Sequence, residues 1–443
     1  MQEQLKIFLK KIIADNKGYK YIFNHSSWRT DFLRFYQSQV NYNISKNSEQ
    51  LWVTLYKGQK SLSFAISDPD EKKLNNKLTE SYALIDNLPA DKDFVDIEAD
   101  PTKTEEKAKV DNTIELSLED KIVILQKFAD VAAKHAFKIF GTFICNYEVS
   151  TIINSNGVNK VSYNSPIMLE IKGVADKNMV TILESLGGEQ LSSLNFDAAL
   201  TSFEKKLIAG QAEVVDLDPG HYEVVLAPRC IGEYLSYLGS SFGASALDRK
   251  SSFFEGKENK QIFPKNITVY DDPHDSELVN FDYNGEGRKI EKLMLIENGV
   301  FKNYLVDNYY GNKLGLPVNG NDGSCLVLKT GDKSLDQMIS TVKKGIYISS
   351  LHYMNFINVK ETSLTGLTRD GTFLIENGKI TKVVNNLRFT EKISSIIENI
   401  VEIENSSVVV PNSSNYGAFS ISSSKMPHVK VSKFHISSST KTI

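Results

Sequence analysis

Apolar residues recur along this chain with two periods, and the change from one to the other divides it. The opening segment, MQEQLKIFLKKIIADNK, places Leu5, Phe8, Leu9 and Ile12 on one helical face with lysines on the others, which predicts an amphipathic docking helix. Leu51 to Tyr56 and Ser61 to Ile66 read as paired strands around a Lys57-Gly58 turn, with a charged helical stretch from about Asp70. From Asp86 to Glu115 the pattern dissolves into Asp, Glu, Lys and Pro, too polar to bury, so a long surface connection or a poorly ordered excursion, holding no site, is expected there. Ser117-Leu118-Glu119-Asp120 has the form of a capping box. Ile122, Leu125, Phe128, Ala129 and Ala132 continue it as a helix to about Ala136. Strands are expected at Thr142 to Ile153, at Lys160 to Val174 beyond an Asn156-Gly157 turn, and near Met179 to Glu184. A last helix, Phe196 to Ala209, presents Phe196, Leu200, Phe203 and Leu207 on one side and stops at Gly210.

From Gly220 onward the period shortens to that of strands. The pentapeptide LIENG occurs at Leu295 to Gly299 and again at Leu374 to Gly378, and Asn-Gly favours the positive backbone angles of tight hairpin turns. Five residues are too few to imply a duplicated domain, so the repeat is turn chemistry used twice. The expected fold is α+β. An N-terminal mixed α/β domain (residues 1–218, with the polar excursion 86–115) precedes a β-rich C-terminal domain of short antiparallel strands (residues 219–443).

Composition narrows the function. At 443 residues, 41% hydrophobic and 24% charged, the chain can bury the cores of two domains. A net charge of -4 and the lack of a basic face with interleaved aromatics argue against a direct nucleic-acid partner. The chain has no run of about 18 apolar residues, so no membrane partner is expected. Three scattered cysteines, Cys145, Cys230 and Cys325, suit a reducing compartment, and a cytoplasmic location is the expectation.

The richest chemistry lies in Gly220 to Lys257. Tyr222 to Leu226 is a short apolar strand, Pro228 suits a first helical turn, and Ile231, Leu235 and Leu238 recur at helical spacing. Gly239 to Gly243 offers a glycine-bounded stop after about three turns. This segment resembles the TldD/PmbA family, whose PmbA branch is also called TldE. The resemblance continues through Val269 to Pro273, Phe281 to Gly287, Leu295 to Gly299, Thr365-Gly366 and Leu374 to Gly378, from about Ser117 to the end of the chain.

The resemblance implies a zinc-dependent peptidase of paired subunits, in which the TldD branch carries HExxxH on this helix. Here Ser236 and Ser241 stand where it implies the two histidines and Tyr237 where it implies the glutamate. Ser413 stands where it implies a further cysteine ligand, and Asn412 to Gly417 contains no cysteine. A zinc hydrolase needs imidazoles or thiolates for the ion and a carboxylate to take a proton from bound water. Serine and tyrosine supply neither. Histidines five apart on a regular helix would also diverge by roughly 140°, so the motif needs a distorted or ending helix, which Gly239 would permit. These four are therefore degenerate metal-motif positions. The chain itself is expected to have no metal, no cofactor and no catalytic residue.

Other candidates have plainer readings. Gly239-Ser240-Ser241-Phe242-Gly243 matches G-x-S-x-G, but a nucleophile elbow needs a strand before the serine and a helix after it, and here the helix comes first. Cys230 in a first helical turn could be activated by the dipole, yet a small buried residue at a strand-helix joint is the simpler reading. Asp271-Asp272-Pro273-His274-Asp275 carries metal-capable groups but reads as a turn leaving a strand. Tyr283 to Arg288 is glycine-rich without the ending of a phosphate loop. The chain therefore reads as a non-catalytic, PmbA/TldE-like subunit. It would hold peptide substrate while zinc resides in a TldD-like HExxxH partner, or would pair with itself as a dimer. The alternatives are a self-sufficient peptidase or other hydrolase with an unrecognised site, and a peptide-binding module without enzymatic role.

Overall fold

The computed structural model describes residues 3–100, 116–279, 281–413 and 419–439. The amphipathic start forms α1 (Glu3–Asp15), burying Leu5, Leu9 and Ile12. Two long strands follow, β1 (Lys20–Tyr36) and β2 (Gln39–Lys57), turning through Gln37 and Ser38, both at positive φ. Residues 39–47 carry little apolar alternation because the first half of β2 is mostly exposed, so the apolar pattern reports only its later half. Beyond Lys57 the chain continues as β3 (Lys60–Ser67) and then α2 (Glu71–Ile85), capped by the Asp70 side chain on the Lys73 amide.

The polar excursion falls partly outside the described residues. The part that is described, 86–100, departs from a simple surface connection. Ile97 is buried, and Asp96, Glu98 and Asp100 meet Lys20, Arg288 and Lys160 respectively. Its acids are accommodated by paired cations rather than by exposure, which composition alone does not reveal.

The Ser117–Asp120 capping box starts α3 (Leu118–Lys134). Then come β4 (Phe137–Asn154), β5 (Asn159–Asn164), β6 (Ile167–Ala175), β7 (Thr181–Gly188) and α4 (Phe196–Gly210). The single strand expected over 160–174 is two, because Ser165-Pro166 interrupts the ladder and Pro has no N–H to contribute. β5 pairs with one part of β4 and β6 with another. Together these strands form a sheet of order β3-β2-β1-β4-β6-β7 with β5 on β4.

The second half contains β8 (Val214–Val215), β9 (Gly220–Leu226), α5 (Pro228–Phe242), α6 (Ala244–Asp248), β10 (Val269–Asp271), β11 (Leu293–Glu297) and β12 (Val300–Phe301). These are followed by α7 (Asn308–Leu314), β13 (Leu326–Leu328), α8 (Leu335–Ser340), β14 (Lys344–Asn358), β15 (Ser363–Glu376) and β16 (Lys379–Val384). The chain ends with β17 (Leu387–Lys392), α9 (Ile393–Glu398), β18 (Ile400–Ile403), β19 (Val408–Ser413), β20 (Ile421–Met426) and β21 (Val429–Ser439).

One sheet has the order β12-β11-β10-β13-β20-β19. In the other, β14-β9-β21-β17-β15 is closed by direct pairing of β14 with β15, giving a ring without free edges. β16 and β8 extend from β15, and β18 pairs with β21. The fold is thus α+β, although β14 and β15 are longer than the short strands expected, and β9 runs parallel to β14.

Both LIENG segments form hairpin turns, with Asn298 and Gly299 at φ 48° and 77° and Asn377 and Gly378 at 50° and 77°. They lie in different sheets. A Cβ on Gly299 would sit 2.1 Å from the Phe263 carbonyl oxygen, so packing as well as torsion demands glycine there.

One core fills the second half around α5, including Leu226, Leu235, Leu238 and Phe434. Another joins α3 and the first sheet to Val225, Tyr347, Phe373 and Ile375. The 218/219 division therefore falls between β8 and β9, two strands of one sheet, and the second core crosses it. No helix among the described residues is long and apolar enough to cross a membrane.

Candidate functional site

Strand β9 feeds α5 through Ala227, with Pro228 in the first turn where a missing N–H costs nothing. The helix is strongly two-faced. Cys230, Ile231, Tyr234, Leu235, Leu238, Ser241 and Phe242 are buried. On the opposite face Arg229, Glu233, Ser236, Tyr237 and Ser240 border an open cleft of about 880 Å³. Its other walls come from Asp322 to Ser324 before β13, Leu351 to Met354 of β14, Val410 to Asn412 of β19 and Ser422 to Ser424 of β20. α5 runs close to β20: a Cβ on Gly232 would stand 3.1 Å from the Ser424 hydroxyl oxygen. Glycine there lets helix and strand close the floor.

The helix does not stop at Gly239, as the sequence suggests. It runs through Ser241 to Phe242, and Gly243 caps it. The consequence for the degenerate motif follows from the turn angle. Ser236 is exposed on the cleft face, whereas Ser241 is 1% exposed on the core face, its hydroxyl without a hydrogen-bond partner and its carbonyl accepting from Ser252 at 2.6 Å. The two positions do not face one point. Tyr237 lies in the cleft wall, but its hydroxyl donates to the Met354 carbonyl and its ring meets Phe356 at 5.2 Å. It fastens α5 to β14. Ser413 ends β19 opposite Ile421, and it is its neighbour Asn412 that borders the cleft. Ser414 to Gly417 lie outside the described residues. Zinc does not fit the four positions, for they offer no imidazole, thiolate or carboxylate and do not converge.

The titratable groups of the cleft are ones the sequence did not single out. The Arg229 guanidinium is held 3.0 Å from a Glu170 carboxylate oxygen and its Nε lies 3.4 Å from Glu233. Burial pushes the Glu233 carboxyl up to about 7 against the pull of Arg229, and Glu170 adds to the rise. On the opposite wall burial lowers the His352 imidazole, assisted by Arg369 and Lys172 and opposed by Asp370. A carboxyl titrating near neutrality and an imidazole kept neutral can exchange protons with a bound molecule. Glu233 was legible as the polar face of an amphipathic helix one turn before Ser236. What raises its pKa is burial by elements from other parts of the chain, with a smaller push from Glu170.

The remaining candidates resolve as structure. Cys230 is buried, its thiol donating to the Ile348 carbonyl at 3.3 Å, and burial raises it well above its usual range. Ser241 of the G-x-S-x-G match sits inside a helix, not on an elbow. Asp271 accepts from the Cys325 amide at 2.9 Å and Asn321 at 2.9 Å, Asp272 pairs with Lys292, Asp275 with Lys425, and His274 with Glu291. Each acid of that run has its own partner. Asn284 accepts from the amides of Glu286 and Arg288, which makes the glycine-rich segment a turn. Among the described residues no group of three or more His, Cys, Asp and Glu side chains is placed to hold a metal ion.

Comparison with known proteins matches residues 219–438 to the PmbA/TldA metallopeptidase C-terminal domain. A Methanocaldococcus jannaschii protein described only as uncharacterized is 33% identical over 176 residues, which span 38% of this chain and 40% of that protein. The chain thus matches about two fifths of that relative's length. The metalloprotease PmbA homolog of Haemophilus influenzae is 23% identical over 393 residues, 81% of each chain. Among solved structures, TldE from Thermococcus kodakarensis is similar with a TM-score of 0.85 at 18% identity, over 97% of this chain and 99% of that one.

Proposed function

Because this chain belongs to the TldD/PmbA family through residues 219–438, we propose that it is a TldE-like, non-catalytic subunit that holds peptide in the cleft beside α5. Zinc chemistry is supplied by an HExxxH-bearing partner, or the chain pairs with itself in a dimer without that chemistry. The observation that carries this reading is the cleft face of α5. It keeps the strand-helix frame and a substrate-sized opening, but offers Ser236, Ser240 and a tyrosine whose hydroxyl is committed to β14. Those groups can donate and accept hydrogen bonds to an extended backbone. None of these three holds a metal or deprotonates its water, and the one carboxylate of this face, Glu233, is paired with Arg229.

The test is co-expression with an HExxxH-bearing family member, followed by measurement of complex mass, zinc content and peptide hydrolysis. The expected result is a mixed complex in which hydrolysis requires the partner. Stoichiometric zinc together with peptide hydrolysis in the isolated chain would overturn the proposal.

A second reading rests on Glu233. With its carboxyl near neutrality and His352 on the facing wall, the cleft has the acid and base of a metal-independent hydrolase. It predicts turnover by the isolated, metal-stripped chain that is lost in Glu233→Gln. Equal and negligible turnover in both proteins excludes it.

A further inference from the structure

Tyr353 is placed against the interests of the fold. It lies within β14, where the β14–β15 register shifts between His352 and Asn355, and it has a left-handed backbone with φ 51°. A bulky residue resists that conformation, which glycine adopts freely. No burial offsets it, since Tyr353 is 76% exposed. Its ring stands edge-on to His352 at 4.4 Å and borders the cleft. Bulges re-aim side chains beside binding sites, and backbone strain persists where a ligand uses it. On the same strand Leu351 and Met354 make the cleft lining beside Tyr353 apolar.

We infer that Tyr353 is the specificity-determining residue of the cleft, the lid of a subsite that takes a large apolar or aromatic side chain of the bound peptide. The inference rests on the peptide-holding reading above and adds to it a preference. The opposite wall, with Arg229, Glu233, Ser236 and Ser240, is polar. A peptide lying between the two walls turns its hydrophobic side chain toward β14. Aromatic rings suit this position because they cover apolar area at small cost in side-chain entropy.

Two fluorescein-labelled nine-residue peptides of Gly and Ser, identical except for Phe or Ala at the centre, test the inference by anisotropy on the full chain. The Phe peptide is expected to bind about tenfold more tightly or better, the value of covering one aromatic side chain. Tyr353→Phe keeps the preference, while Tyr353→Ala and Tyr353→Gly lose it. Tyr353→Gly is expected to melt at or above Tyr353→Ala, because only glycine relieves the backbone. Equal binding of both peptides by the unaltered chain overturns the inference while leaving the peptide reading standing. So does a preference that survives Tyr353→Ala, or a Tyr353→Gly protein that melts below Tyr353→Ala. Binding of neither peptide overturns the peptide reading itself, and this inference with it.

Discussion

Arg229 and Glu233 stand one turn apart on α5, with the guanidinium Nε 3.4 Å from a Glu233 carboxylate oxygen, while Glu170 of β6 holds the same guanidinium at 3.0 Å. Two carboxylates thus share one cation at the base of the cleft. Glu170 has the closer contact, and Glu233 is left incompletely compensated. Burial, with that competition added, explains why a side chain beside an arginine titrates high rather than low.

The sign of the resulting pH dependence follows by linkage. The Glu233 carboxyl is raised in the folded chain from 4.5 to about 7, so between those values the folded state binds more protons than the unfolded state. Stability from this group is complete below about pH 4.5, falls as pH rises to about 7, and is constant above. Glu233→Gln abolishes that slope. Its stability relative to the unaltered chain should therefore improve across the interval by up to roughly 3 kcal/mol, read from urea midpoints at pH 5 and pH 8. A relative stability that stays flat between those pH values would contradict the assignment.

Restoring the family motif at the degenerate positions should not restore zinc binding. In Ser236→His/Tyr237→Glu/Ser241→His, one imidazole enters the cleft and the other is forced into the core on the buried side of α5. The cost of the buried substitution is on the order of 3 kcal/mol, and the triple variant also loses the Tyr237 tie to Met354. Metal analysis after dialysis against zinc should find none bound, and thermal melting should show a loss of stability. Tight zinc binding by the triple variant would mean that α5 departs from a regular helix near Gly239.

Tyr237→Phe isolates the tie between helix and barrel. The phenol donates to a main-chain carbonyl in a half-buried setting, so the loss is expected at about 1–1.5 kcal/mol, with the ring contact to Phe356 retained. Amide exchange should accelerate at residues 354–356 and along the last turn of α5, leaving β9 unchanged. Uniform acceleration throughout the chain would indicate a global effect and no local tie.

How much of this was legible depended on whether the cause lay nearby in the chain. The Ser117 capping box, the Asn-Gly turns and the Pro228 helix start were readable because each is fixed by a few consecutive residues. The end of α5 lies beyond Gly239 because a single glycine is a weak helix breaker when the following turn is held by Phe242 stacked on Phe254 and Phe301, contacts no local pattern announces. The cleft was only half visible. Helical spacing identifies the polar face of α5, but nothing local brings Glu170, His352, Tyr353 and Ser424 to that face. The bulge at Tyr353 carries no glycine and hence no turn signal. The first half of β2 is not legible because exposed strands lack the apolar alternation by which strands are recognised, and β1 is buried in runs rather than at alternate positions.

The excursion supplies the last test, since composition alone predicts a loose surface connection for it. Glu98 accepts from Arg288 at 2.9 Å and from Asn308 at 3.1 Å, while its carbonyl accepts from Asn154 at 2.7 Å. The side chain thus joins two separate parts of the second half, and the main chain joins the first sheet. Glu98→Ala removes the side-chain contacts and leaves Arg288 without its carboxylate, a loss of about 1–2 kcal/mol because the pair is only partly exposed. The effect should be local: amides of residues 96–100 should lose protection against exchange and the segment should become a site of limited proteolysis. Arg288→Ala should produce the same local signature, and the double variant should be no worse than the sum of the two, because the pair is one shared interaction. Unchanged exchange in 96–100 would show that Ile97 burial and the Lys20 and Lys160 pairs hold the segment without Glu98.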